Sequence, residues 1–255
     1  RPEAIDISKE LDGLGAEYNA YTGKDRTAYY AKVEARHWDT ALDIVSDLFL
    51  NAKIAQEEID REKGAILQEL NMYEDMPPRH INDLWERHLY GDHPLGWEII
   101  GTKDNLHRFK RADFMRYLER GYVAENVVVG VAGKVDPKVV LAAIKKQFAK
   151  VRTGKKPTFK RMTDKQSKPG IFIQKKKTDQ THLAIAFRSF SIKDKRMAAL
   201  RVLATVLGKG MSSRLFVKMR DELGICYYIS ASRSAYTDHG LFVVSAGVDT
   251  TRVEI

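Results

Sequence analysis

The chain has 255 residues, 44% of them hydrophobic, a net charge of +9 and one cysteine. That is enough apolar material for one large domain or two of ordinary size. No stretch approaches the roughly 20 consecutive apolar residues of a membrane span, so no membrane is expected. Cys226 alone excludes an internal disulfide and a cysteine-based zinc cluster, and it favours a reducing, cytoplasmic setting while leaving a periplasmic one open.

In chain order, Ile5, Leu11 and Leu14 keep helical spacing and end at Gly13 and Gly15, which predicts a short helix. Residues 16–22 and 27–33 are rich in Tyr and Thr around Gly23-Lys24-Asp25, the pattern of a hairpin. Trp38, Leu42, Val45 and Leu48-Phe49 mark an amphipathic helix. A second helix is predicted over 56–73, broken by Pro77-Pro78, and a third over 79–89. His93-Pro94-Leu95-Gly96 reads as a turn-rich loop, followed by short helices over 103–109 and 112–121. Val127-Val128-Val129 anchors the clearest predicted strand, 126–132, and Asp136-Pro137 opens a helix to about Lys150, with Pro at its first position. Strands are then expected at 170–174 and 182–188, helices at 194–207 and 212–223, and strands at 226–234 and 241–248. The fold class is therefore α+β, and the second half loosely echoes the first in order.

The positive charge is local. Residues 150–177 hold eleven basic side chains against one acid, Asp164, so the rest of the chain is close to neutral. With Gly154, Pro157, Pro169 and Gly170 and little apolar periodicity, this stretch reads as a solvated linker between a first domain, 1–151, and a second, 170–255, with 152–169 as its core. A groove for acidic peptides is the next reading. No nucleic-acid partner is expected. The chain opens at Arg1-Pro2-Glu3 without an initiator Met or a signal segment, and stops at Val253-Glu254-Ile255 without a cap. Both ends are expected to be cuts from a longer protein.

Chemistry is thinly spread. Glu62 and Glu69 are seven residues apart on the predicted 56–73 helix, which sets them on one face about 10 Å apart along the axis. They are too far apart to bind one ion together, although one could ligate a metal while the other orients a ligating histidine. A Glu- and Lys-rich helix ordinarily shows a solvated face, so spacing alone assigns them nothing. The seven histidines include no pair at i, i+4, and no His-Glu or Glu-His dipeptide occurs. Serine-nucleophile and phosphate-loop templates are absent, and Cys226 has no histidine beside it.

Five segments in order across the whole chain, residues 11–22, Glu62 with Glu69, and residues 93–102, 211–216 and 220–227, together resemble the pitrilysin/insulinase family of zinc metallopeptidases (inverzincins), especially its mitochondrial-processing-peptidase-like bacterial branch. Leu11-Asp12-Gly13-Leu14-Gly15-Ala16-Glu17-Tyr18-Asn19-Ala20-Tyr21-Thr22 resembles the strand that follows the family's H-x-x-E-H motif. Glu62 and Glu69 match its E-x6-E pair, and 93–102 resembles the loop beyond that helical pair, which makes His93 structural. Met211-Ser212-Ser213-Arg214-Leu215-Phe216 and Arg220-Asp221-Glu222-Leu223-Gly224-Ile225-Cys226-Tyr227 resemble its Arg/Tyr substrate-binding element.

The resemblance implies two related α/β sandwich units, the second truncated, and a Zn2+-dependent endopeptidase acting on peptides or unfolded polypeptides. Glu69 would be the third zinc ligand, Glu62 would hold a ligating histidine in place, and Asn19, Ala20, Arg220 and Tyr227 would contact substrate. The H-x-x-E-H motif lies farther before the metal glutamate than the 68 residues available here, so both zinc histidines and the general base are expected upstream, and this fragment alone is expected to be inactive. Metal and Arg/Tyr elements in one chain favour a homodimer of self-sufficient subunits. The alternative is a non-catalytic family member serving as a peptide-binding or scaffold subunit.

Overall fold

The structure, a computed structural model, describes residues 3–164 and 166–253. Arg1, Pro2, Glu254, Ile255 and Lys165, the last counted in the basic stretch, lie outside the described residues. The chain is α+β and groups into two compact units, one of residues 1–64 and 104–159, the other of 65–103 and 160–255.

In the first unit, α1 (Ala4–Gly13) leads through Leu14-Gly15 into β1 (Glu17–Thr22), which pairs antiparallel with β2 (Thr27–Lys32). The helix-to-strand corner needs the left-handed backbone that Gly15 adopts at φ +62°, a conformation costly for a residue with a Cβ. A 3-10 turn at Ala35–His37 then starts α2 (Trp38–Leu50), which packs on β2 and buries Ala41, Leu42 and Ile44. Helix α3 (Gln56–Glu74) begins in this unit. Returning after α4 (Pro77–Tyr90), the unit adds α5 (Lys103–Arg108), α6 (Arg111–Gly121) and α7 (Pro137–Gln147). The carboxylate of Asp136 accepts from the N–H groups of Lys138 and Val139, so α7 has the cap and N-terminal proline its sequence promises. Aromatic packing completes the core: Phe49 stacks on Tyr122 with ring centres 4.8 Å apart. The Tyr122 hydroxyl meets that of Tyr29 at 3.1 Å.

The second unit is built on a three-stranded antiparallel sheet in the order β3 (Gln180–Ser189), β5 (Gly240–Asp249), β4 (Cys226–Ala235). Side chains alternate across it. On one face Leu241 and Val243 join Tyr90 and Leu95, with Trp85 and Leu89 of α4 packed around them. On the other, Phe242 and Ala231 meet Ala204 of α8 (Met197–Gly208). Gly208 ends α8 where any side chain would collide with the backbone of Ser230 and Ala231. Pro77 and Pro78 open α4 as its first residues; they do not merely break α3.

Two expected strands are not formed. Residues 127–132 follow a 3-10 turn at Ala124–Asn126 and enter no ladder, and Val128 is 95% exposed. Residues 170–174 are likewise unpaired, with Ile171 86% exposed. Both have strand-like composition, but a strand is a pairing of two backbones, and among the described residues neither enters a ladder. The helix expected over 212–223 forms as a short turn running into a π-helical segment, Phe216–Glu222.

Gly208→Ala, which forces α8 away from β4, is expected to cost roughly 1–3 kcal/mol; urea unfolding should show a lower midpoint with an unchanged slope.

Candidate functional site

The most constrained of the candidate residues is Tyr227. Along β4 the ladder to β5 pairs Cys226 with Val248 and Tyr228 with Gly247, so Tyr227 is the extra residue of a β-bulge. Without the bulge, Tyr227 would share the inward face of Ile229 and Ala231. With it, Cys226 takes the inward position and Tyr227 is turned out, 72% exposed. Arg220, on the π-helical turn before the strand, places its guanidinium 4.9 Å from the centre of the Phe216 ring and 5.4 Å from that of Tyr227. This arrangement limits the rotamers of a long cation and holds it at the surface. The two residues are brought together by a π-helical turn, Gly224 at φ +58°, and the bulge that pairing with β5 imposes. π-turns and bulges are enriched at functional sites; neither is legible in the residue pattern.

Glu62 and Glu69 are both exposed on α3, as the helical spacing requires. The Glu69 carboxylate accepts a hydrogen bond from the Tyr73 hydroxyl one turn on, which raises the phenol's pKa. The guanidinium of Arg79 sits 3.6 Å from the centre of the Tyr73 ring. Asn19 and Ala20 are exposed on β1, paired with Tyr30 and Tyr29 of β2. The carboxamide oxygen of Asn19 accepts from the Ala20 N–H at 2.8 Å.

His93 is structural. Its Nδ1 accepts from the Leu95 N–H at 3.2 Å, and its Nε2 lies 2.9 Å from the carbonyl oxygen of Lys160, so both ring nitrogens are used. Among the described residues no three His, Cys, Asp or Glu side chains gather as a metal site. Zinc takes four ligands, and Glu69 offers one carboxylate. The residues of this chain therefore do not by themselves fit the ion that the sequence resemblance implies. Nor is Cys226 a nucleophile in waiting: it is buried, and desolvation pushes its thiol pKa up, partly opposed by Arg220.

A family model described as "Insulinase (Peptidase family M16)" matches residues 1–103, and one described as "Peptidase M16 inactive domain" matches 108–255. An uncharacterized zinc protease of Bacillus subtilis, YmxG, is 32% identical over 251 residues, covering 98% of this chain and 61% of that protein. One from Rickettsia felis is 34% identical over 253 residues, covering 99% and 61%. The chain thus spans about three fifths of the length of these relatives. Among solved structures, a protease from Helicobacter pylori superposes with a TM-score of 0.86 at 21% identity, over 97% of this chain and 61% of that one. A peptidase M16 inactive domain from Pseudomonas fluorescens gives 0.84 at 19%, over 97% and 60%. Among the described residues no helix is long and apolar enough to cross a membrane.

Because burial favours the neutral thiol, Cys226 stays protonated at a pH where a free cysteine has begun to ionise. Ellman's reagent at pH 8 is expected to label it only after denaturant is added; rapid labelling of the folded protein would contradict the burial.

Proposed function

The chain belongs to the insulinase (M16) family of peptidases, and we propose that the longer protein it comes from is a zinc-dependent endopeptidase acting on peptides or unfolded polypeptides. The single observation that carries the reading is the Arg220–Tyr227 pair. An exposed tyrosine turned out by a bulge and an arginine held across two rings form a preorganised donor pair at the surface, and the cost of ordering them is met during folding. Their chemistry suits a peptide carbonyl, or the oxyanion that develops as that carbonyl is attacked.

Glu69 is assigned by the family pattern as the ligand this chain contributes to zinc, with Glu62 orienting a ligating histidine from outside the coordination sphere. When bound, the ion would supply a water with a pKa near 7. The remaining ligands and the general base are assigned to residues outside this sequence. The exposed backbone at Asn19 and Ala20 would accept a peptide as an added strand, so main-chain hydrogen bonds would give affinity with little dependence on side chains.

In the full-length protein, Glu69→Gln is expected to abolish zinc retention and peptide cleavage together. A protein that keeps its metal and its turnover would refute the assignment, and one that binds peptide without ever holding zinc would be a non-catalytic subunit. Arg220→Ala and Tyr227→Ala should leave metal content unchanged and lower kcat/KM by about 10- to 1,000-fold.

A further inference from the structure

A corner separates Arg220 from Tyr227. Arg220 lies on the π-helical turn Phe216–Glu222 and Tyr227 near the start of β4, so the chain from Leu223 to Cys226 sets one against the other. Two donors on elements joined by a loose corner are not held in register. What fastens the corner therefore decides whether the pair is preorganised.

The first unit has the same corner in a plainer form. There a helix, Leu14-Gly15 with positive φ at the glycine, two antiparallel strands and a 3-10 turn follow in order. The second unit repeats that order with the π-helical turn, Leu223-Gly224 with positive φ, β4, β5 and a 3-10 turn at Thr250–Arg252. At the first corner Leu14 and Gly15 donate to the carbonyls of Leu11 and Asp12, three residues back, and Ala16 donates to Leu11. At the second, the Leu223 N–H reaches Lys218 and the Ile225 N–H reaches Met219, five and six residues back. These wider rings come with the π-turn, and a longer closed loop keeps more conformations.

Arg252 supplies the restraint that those rings lack. From the turn after β5 its guanidinium donates through Nη1 to the carbonyl oxygen of Gly224 at 3.1 Å and through Nη2 to that of Leu223 at 3.0 Å. The last carbonyls of a helix have no partner within it, and its dipole favours a cation at that end. A planar fork on two successive carbonyls also fixes the direction of the chain between them, as a single bond does not. The arginine is itself held. The Asp249 carboxylate accepts from the Thr251 N–H at 2.8 Å and from the Thr251 hydroxyl at 2.7 Å, which sets the turn carrying Arg252. The Asp249 N–H donates to the Ile225 carbonyl at 3.1 Å and ties the end of β5 to the same corner.

We propose that Arg252 is a positioning residue for the Arg220–Tyr227 pair: its fork closes the Leu223-Gly224 corner and so fixes the angle at which the strand leaves the turn. The proposal rests on the reading of that pair as the substrate element. Burial of Phe216 anchors the turn, and Arg252 aims it.

The test compares the full-length protein with its Arg252→Ala and Arg252→Gln variants. Glutamine keeps one amide donor, so it provides a folded variant if alanine prevents folding, and it is expected to show the same pattern to a lesser extent. In Arg252→Ala, hydrogen exchange at the Leu223 and Ile225 amides is expected to quicken about 10-fold or more, the worth of hydrogen bonds to a charged group, while the Val243 and Val244 amides of β5 keep their rates. The kcat/KM is expected to fall about 10- to 100-fold, as a displaced donor costs, mostly in kcat and with zinc content unchanged. Added to Tyr227→Ala, the same substitution should cost nothing further. Unchanged exchange, exchange that quickens equally in β5, or a loss that multiplies with that of Tyr227→Ala overturns the proposal. Turnover lost in Tyr227→Ala but kept in Arg252→Ala overturns it too. Turnover kept in both, with exchange faster at the corner alone, refutes instead the reading of the pair as a substrate element.

Discussion

Strand β5 is the constraint on which the second unit depends. It is paired along both edges and buried on both faces, with Leu241 and Val243 against the α4 side and Phe242 against the α8 side. Because side chains alternate, a slip of one residue would exchange these two faces and leave neither helix with its partner. The register of β5 is thus fixed by two cores at once, and it fixes β4 in turn. The bulge at Tyr227 follows: with Ile229 and Ala231 already committed inward, an extra residue is what allows Cys226 to be buried and Tyr227 to face out.

That arrangement separates the buried cluster from the exposed pair. Cys226, Ile229, Ala246 and Val248 make a small apolar cluster beneath the strand, packed by Leu215, Phe216 and Met219. Phe216 serves both sides, since its ring packs on this cluster and also lies under the Arg220 guanidinium. The cation is placed by an element whose position is settled by hydrophobic burial. Glu69 is differently supported: it stands on the exposed side of α3, engaged by Tyr73, and a carboxylate so placed needs partners from elsewhere in the polypeptide before it can do more than solvate its helix.

The repeat of helix, glycine corner and hairpin escaped a reading by residue identity. Aligned on Leu14-Gly15 and Leu223-Gly224, the two copies also share a Lys (Lys9, Lys218), an Asp (Asp12, Asp221) and a Tyr (Tyr18, Tyr227), five identities too widely spaced to stand out in a reading of the whole chain. With them repeats a backbone conformation, φ +62° in one copy and +58° in the other. The hairpins, the long helices and the cap at Asp136 were legible because each rests on local chemistry: periodicity, turn residues, a carboxylate accepting from the next N–H groups.

Strands depend on more than local chemistry, which is why Val127-Val128-Val129 and Ile171-Phe172-Ile173, apolar and rich in β-branched residues as they are, form no ladder here, while β3, no more apolar, does. The sequence by itself determined the α+β class, most helices, the family and the identity of the candidate residues, because these depend on composition and on spacing along one chain. Only the tertiary structure decided which strands pair, that a bulge turns Tyr227 toward Arg220, and that Arg252 meets the carbonyls of the corner between them. Those outcomes rest on contacts between segments far apart in sequence, where one segment supplies the hydrogen-bond partners that another lacks.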